Sequence, residues 1–543
     1  MTRTEPAGTP LGDDFHLYDT TLRDGAQREG ISYSVADKLA VARLLDELGV
    51  GFIEGGWPGA MPKDTEFFAR AAAGELTLKH AVLVAFGSTR KAGVKAAEDP
   101  QVRALLDSQA PVVTLVAKSD VRHIERALRV DVDEACAMVE DTVSFLVGEG
   151  RRVFLDAEHF FDGYAYDPDT ALRVLDAAGR GGADVVVLCD TNGGQLPLGL
   201  AETVREVADR TGLRLGIHCQ DDTSCAVANS IAAVQAGATH VQCTANGYGE
   251  RAGNADLFAV TGNLVAKLGM EVLPSGGAAE LTRVSHALAE IANIAPDTHQ
   301  AYVGSSAFAH KAGLHASAIK VDPLLYNHID PALVGNDMRV LVTEMAGKAS
   351  LELKGRELGV DLAGRPEALT NAVRKVKDLE AEGWSFEAAD ASLELLLRRE
   401  VAGTDGTPLG EPPFTLESYR VVLDHRPDGE VIAEATVKVH VGGERVIATA
   451  EGNGPVNALD AALRQALLPH LSWLDSVELS DYKVRILVNH QGTDAVTRVL
   501  IESSDGEQEW TTVGVHENIV EASWLALRDA IVHKSLRAGT LTP

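Results

Sequence analysis

The stretch HLYDTTLRDGAQREG, residues 16 to 30, sets Asp19, Arg23, Asp24, Gln27, Arg28 and Glu29 close behind an apolar strand-like start. Unpaired buried charge costs several kcal/mol, so this density of charge calls for water or a ligand. Asp24, together with His218 and Asn254 far along the chain, offers a carboxylate, an imidazole and an amide carbonyl. That is half the shell of an oxygen-rich octahedral divalent metal, with positions left open for a bidentate 2-oxoacid. The alternative reading makes each of the three a cap or a loop hydrogen-bonder. Arg23 has the planar fork that suits a substrate carboxylate or a ketone oxygen, or else a salt bridge across the same region. Glu158 and Thr191 are placed to hydrogen-bond a hydroxyl or carbonyl, with His159 behind them.

Bringing such separated residues together requires a fold that collects strand ends. From residue 16 to about 270, short β-branched runs alternate with longer helical stretches. The predicted strands are 16–19, 51–56, 81–86, 112–117, 153–158, 184–190, 214–219 and 240–245. Helices are predicted over 34–49, 168–182 and 225–237; the first has Ser34 as N-cap, Asp37 three residues on and Gly49 as terminator. Strands apolar on both faces, in units of about 30 residues, favour a (β/α)8 TIM barrel over an open doubly wound sheet. No glycine-rich phosphate loop follows the first strand. In such a barrel the C-terminal strand ends form the mouth, and the segments after the predicted strands, from DTTLRDG to TANGYGERAGN, are polar, acidic or imidazole-bearing.

The 543 residues exceed what one core usually supports, so several domains are expected. The expected division is a disordered leader over 1–15, a catalytic barrel over 16–270, a helical subdomain over 271–400, a Gly/Pro-rich linker over 401–415 and an α+β regulatory or dimerisation domain over 416–543. Helices are predicted over 280–293, 350–359, 366–383 and 385–400. The last domain carries a weak duplication, 419–467 and 482–531, each reading as three alternating strands and a helix. A formal charge of −30 argues against nucleic acid, and no apolar run is long enough to span a membrane. Five irregularly spaced cysteines are expected to be reduced, and the chain is expected to be cytoplasmic.

LYDTTLRDGAQREG, EGGWPG with PKDTEFF, DAEHFFDG, CDTNGG, ANGYGERAGN and AFAHKAGLHASAIKVDP, in that order, resemble the alkylmalate synthase family. GPVNALDAAL and ENIVEASW extend the resemblance to the allosteric tail of the 2-isopropylmalate synthases. The resemblance implies an acyltransferase that deprotonates acetyl-CoA, adds the enolate to the ketone of a 2-oxoacid and hydrolyses the thioester. The expected oxoacid is pyruvate and the expected product citramalate, on a route to isoleucine. The alternatives are a 2-isopropylmalate- or homocitrate-type synthase with another oxoacid, or an impaired paralogue acting as a metabolite sensor.

Carried over residue by residue, Asp24, His218 and Asn254 bind the metal, Arg23 binds or polarises the oxoacid, and Glu158 and Thr191 orient it. His310 and Tyr326 take part in proton transfer at the site of a partner subunit; His315 also matches. The tail implies a homodimer and a branched-chain amino-acid effector, with isoleucine expected. The chain departs from the family pattern H-x-H-N-D in HCQDD: Gln220 replaces the second metal histidine, and Asp221 replaces asparagine. A neutral carbonyl donor shifts preference from zinc toward magnesium or manganese. Compensation by Asp221, or loss of synthase activity, are the other outcomes.

Overall fold

A computed structural model describes residues 12–311, 313–405, 412–487 and 495–539. The chain forms two compact units. The first runs to Phe308 and takes in Ile329–Asp337; the second comprises Ala309–His328 and the described residues from Met338 onward.

The first unit is a closed barrel of eight parallel strands in chain order: β1 (His16–Asp19), β2 (Phe52–Glu54), β3 (Val82–Ser88), β4 (Val112–Lys118), β5 (Arg152–Glu158), β6 (Val185–Asp190), β7 (Leu215–Cys219) and β8 (His240–Cys243). Closure comes from β1 against β8, with His16 opposite His240 and Asp19 opposite Cys243. Each predicted strand is present, with no end moved by more than two residues. Burial on both faces explains the legible apolar runs. Tyr18, Phe52, Val84, Val112, Phe154, Val185, Val187 and Cys189 fill the barrel, and a larger apolar layer lies between strands and helices.

The helix Val35–Leu48 starts at a capping box between Ser34 and Asp37 and ends at Gly49, whose φ of 96° only glycine adopts cheaply. Pro168–Gly181 and Ala226–Gln235 fall where their patterns placed them. All five cysteines are free.

Of the expected leader, residues 1–11 lie outside the described residues. Asp13 is held at the N-terminal end of the barrel by Arg152 (2.8 Å) and Arg214 (3.2 Å). The helix Leu281–Ile291 packs in the first unit, whereas Lys348–Glu357, Pro366–Ala381 and Asp390–Asp405 belong to the second. The last of these starts and ends five residues later than predicted, because Phe386 and Ala389 are buried ahead of it and Val401 still packs on the same apolar cluster. Part of the expected linker is therefore helix; residues 406–411 lie outside the described residues. A two-residue bridge joins β9 (Ala309–His310) to β10 (Arg339–Val340).

Two antiparallel sheets follow. One contains β11 (Phe414–His425), β12 (Val431–Val441) and β13 (Glu444–Gly452), covered by the helix Pro455–Leu467. The other contains β14 (Glu478–Ile486), β15 (Thr497–Ser504) and β16 (Glu509–His516), covered by Ile519–Arg537. These are the two βββα units read from the duplication. No helix among the described residues is long and apolar enough to cross a membrane.

Candidate active site

The turn after β1 carries Arg23 and Asp24 inward over the C-terminal end of the barrel. Three backbone N–H groups, of Arg23, Asp24 and Gly25, donate to the Thr20 carbonyl and tighten the turn. Asp19, at the strand end, accepts from the Thr21 N–H and hydroxyl at 2.9 and 2.7 Å, and burial pushes its carboxyl up to about 7. Asp19, buried at the strand end, is thus hydrogen-bonded. The Arg23 Nε donates to Glu54 Oε1 at 2.5 Å, its guanidinium lies 3.9 Å from the Phe86 ring centre, and Nη2 reaches within 4.0 Å of Asp156.

Asp24, His218, Gln220 and Asn254 converge. Asp24 Oδ2 is 3.2 Å from His218 Nε2 and 3.3 Å from Gln220 Nε2, and Gln220 forms an antiparallel bridge with Asn254. Burial opposes ionisation of Asp24, but Arg23 and His218 override it and hold the carboxyl far below the usual range. Burial likewise opposes charge on His218, and Asp24 overrides it, so the ring's affinity for a proton rises.

Gln220 Oε1 and Asn254 Oδ1 are buried without a hydrogen-bond partner. Two orphaned carbonyl oxygens beside a carboxylate and an imidazole are the donor set a hard divalent cation requires, so these residues fit a metal. Among the described residues, no group of three or more His, Cys, Asp or Glu side chains could hold a metal, so the amides are essential to this set.

Asn254 owes its place to the glycines around it: its N–H donates to the Gly247 carbonyl at 3.0 Å and its Nδ2 to the Tyr248 carbonyl at 2.9 Å. Gly253 has φ +98°, and a Cβ there would stand 2.1 Å from the Gly247 oxygen. The Asp221 side chain is engaged elsewhere. Its carboxylate accepts from the Ala226 N–H at 2.8 Å and so starts the following helix.

A cavity of about 700 Å³ opens over this cluster and is lined by Arg23, Asp24, Glu158, Thr191, His218 and Gln220, among others, with Phe86, Val116, Met138 and Val139 on its apolar side. Glu158 pairs with Lys118, and Thr191 Oγ1 accepts from the His159 N–H at 2.8 Å. The first unit therefore brings together Arg23, Asp24, Glu158, Thr191, His218, Gln220 and Asn254.

His310 and Tyr326 belong to the second unit, with ring centres 6.4 Å apart and His315 stacked on Tyr326 at 4.1 Å. His310 Nε2 lies 2.7 Å from Asn327 Oδ1.

Glu54, Asp156, Gln242 and Lys118 escaped sequence reasoning. Their signal was a polar side chain within an apolar run or, for Lys118, at the end of one.

A family model described as HMGL-like matches residues 14–288, one described as homocitrate synthase post-HMGL domain-like matches 302–383, and the LeuA allosteric (dimerisation) domain matches 387–534. The chain is 63% identical to an (R)-citramalate synthase of Streptomyces coelicolor, across 98% of this chain and 99% of the relative. It is 46% identical to an (R)-citramalate synthase of Aquifex aeolicus, across 97% and 99%. The barrel, the order of its motifs and this full-length likeness agree: the chain belongs to the HMGL-like alkylmalate synthases, in the (R)-citramalate synthase family.

Proposed function

We propose that this chain condenses acetyl-CoA with pyruvate, giving citramalate and free CoA, as the first step of a pyruvate route to isoleucine. A proton leaves the acetyl methyl group, a carbon–carbon bond forms to the ketone carbon, the ketone oxygen takes up a proton, and water cleaves the thioester. The observation that carries this reading is the convergence of Asp24, His218 and the orphaned carbonyls of Gln220 and Asn254 in front of Arg23.

Those four residues would hold a divalent cation, with magnesium or manganese favoured over zinc because two of the donors are neutral amide oxygens. When bound, the cation supplies Lewis acidity to the ketone. Arg23 is held rigid by Glu54 and by Phe86, so its outer N–H groups, beside Asp24 and Asp156, meet the oxoacid without reorganisation. Glu158 and Thr191 orient the oxoacid, and the apolar wall of Phe86 and Val116 excludes water from it. His310 and Tyr326 serve in proton transfer, entering the site of a partner subunit.

The paired βββα units form the regulatory and dimerisation domain and bind a branched-chain amino acid, isoleucine, at the dimer interface. Five free thiols and the absence of a spanning helix among the described residues are compatible with a cytoplasmic enzyme.

The test is thiol release from acetyl-CoA with a panel of 2-oxoacids, with and without chelator. Pyruvate is expected to give the highest kcat/KM, and chelator to abolish turnover until manganese or magnesium is restored. A higher kcat/KM with a bulkier oxoacid, or release insensitive to chelator, overturns the reading.

A further inference from the structure

His218 is a register partner of Gln242 on the adjacent strand β8, and both side chains are buried. His218 Nδ1 lies 2.8 Å from Gln242 Oε1, and Gln242 Nε2 donates to Asp156 Oδ1 at 2.8 Å across the barrel. Burial raises the Asp156 carboxyl to about 7; once ionised, as in alkaline buffer, it can only accept hydrogen bonds and so fixes which end of the Gln242 amide faces it. The amide oxygen is thereby turned to His218, where it too can only accept. Nδ1 must carry a proton, and Nε2, which faces Asp24 and Gln220, is left with a lone pair when the ring is neutral.

We propose that Gln242 and Asp156 are positioning residues that fix the tautomer of His218, so that its Nε2 is presented to the cation site. The inference rests on the metal reading above for its purpose, but not for its geometry. Gln242 touches neither the cavity nor Asp24, yet it decides whether the imidazole can act as a ligand. A neutral relay suits this place, since a carboxylate at position 242 would stand directly against Asp156.

The test uses the full chain and two readouts. In chelator-treated, histidine-labelled protein in alkaline buffer, nitrogen-proton correlation spectra report each ring's tautomer, and His218 is assigned by the signal lost in His218→Asn. Wild-type His218 is expected in the Nδ1–H form, and Gln242→Met is expected to move it toward the Nε2–H form. With manganese alone, followed by paramagnetic resonance titration, Gln242→Met is expected to weaken binding by about 10- to 100-fold.

An Nε2–H tautomer in the wild type overturns the proposal even if Gln242→Met does not fold. A folded Gln242→Met that binds manganese as tightly as the wild type also overturns it. If manganese binding to the wild type is unaffected by Asp24→Asn, the metal reading fails instead, and the tautomer measurement still decides the relay.

Discussion

At the scale of single residues, Arg23 and Gln220 are the points where chemistry and packing meet. Arg23 is fixed by its close ion pair with Glu54, by the more distant carboxylates of Asp24 and Asp156 and by contact with Phe86, so a lysine there keeps the charge but loses the fork and the stacking. Arg23→Lys is expected to lower kcat/KM for the oxoacid by about 100-fold or more, read by thiol release, with little change in melting temperature. Gln220 stands 3.5 Å from His218 and 3.3 Å from Asp24, and an imidazole there would add a stronger nitrogen donor. Gln220→His is expected to tighten zinc binding far more than magnesium binding. Equal affinities in the variant and the wild type would show that residue 220 is not a ligand. The sequence exposed Gln220 as a departure from the family pattern, but not its consequence. That depended on Asp221 turning away to the helix that begins at Ala226.

At the scale of elements, the loop after β8 shows how backbone geometry places a functional side chain. Gly253→Ala would drive a Cβ into the Gly247 carbonyl and strain a positive φ, displacing Asn254. Manganese affinity is expected to fall with the barrel's far-ultraviolet signature retained. In the second unit, the helices Asp390–Asp405 and Ile519–Arg537 are tied by Glu394, which accepts from Arg398 at 2.8 Å and Arg537 at 2.7 Å and meets His533 at 3.0 Å. Burial opposes ionisation of Glu394, yet His533 and Arg398 bring its carboxyl down to about 2 from an ordinary 4.5. Because the folded value is the lower one, this stabilisation is complete above pH 4.5 and disappears as pH falls toward 2, with a magnitude of about 3 kcal/mol. Urea titrations across that window should show a steeper acid loss for the wild type than for Glu394→Gln; parallel curves would remove Glu394 from the account. Element positions were legible because strand and helix periods differ. The helix Asp390–Asp405 was displaced because Phe386 and Ala389 bury as turn residues, a choice made by the cluster they pack on.

At the scale of the whole molecule, the proposed sharing of His310 between subunits has a quantitative consequence. Asp24→Asn and His310→Asn are each expected to be inactive. Dimers reassembled from equal amounts of the two should recover about a quarter of wild-type turnover, since half are mixed and each mixed dimer holds one intact site. No recovery would assign His310 to the site of its own subunit. For the tail, isoleucine is expected to raise the melting temperature and lower turnover together, as an effector that binds the folded chain and favours its less active state does. An isoleucine titration that moves neither quantity leaves the two βββα units with dimerisation alone.

The sequence by itself determined the eight parallel strands, the helices between them, the duplicated tail and the polar strand ends, because apolar periodicity and capping residues act over a few neighbouring positions. It also marked Asp24, His218 and Asn254 as residues able to share a ligand. Only the tertiary structure decided that Gln220 leaves an orphaned carbonyl beside them, that Glu54 clamps Arg23, and that Asp156 reaches Gln242 across the barrel. Those are contacts between different strands, set by barrel closure and register, and a lone polar residue in an apolar strand does not say which partner it will meet.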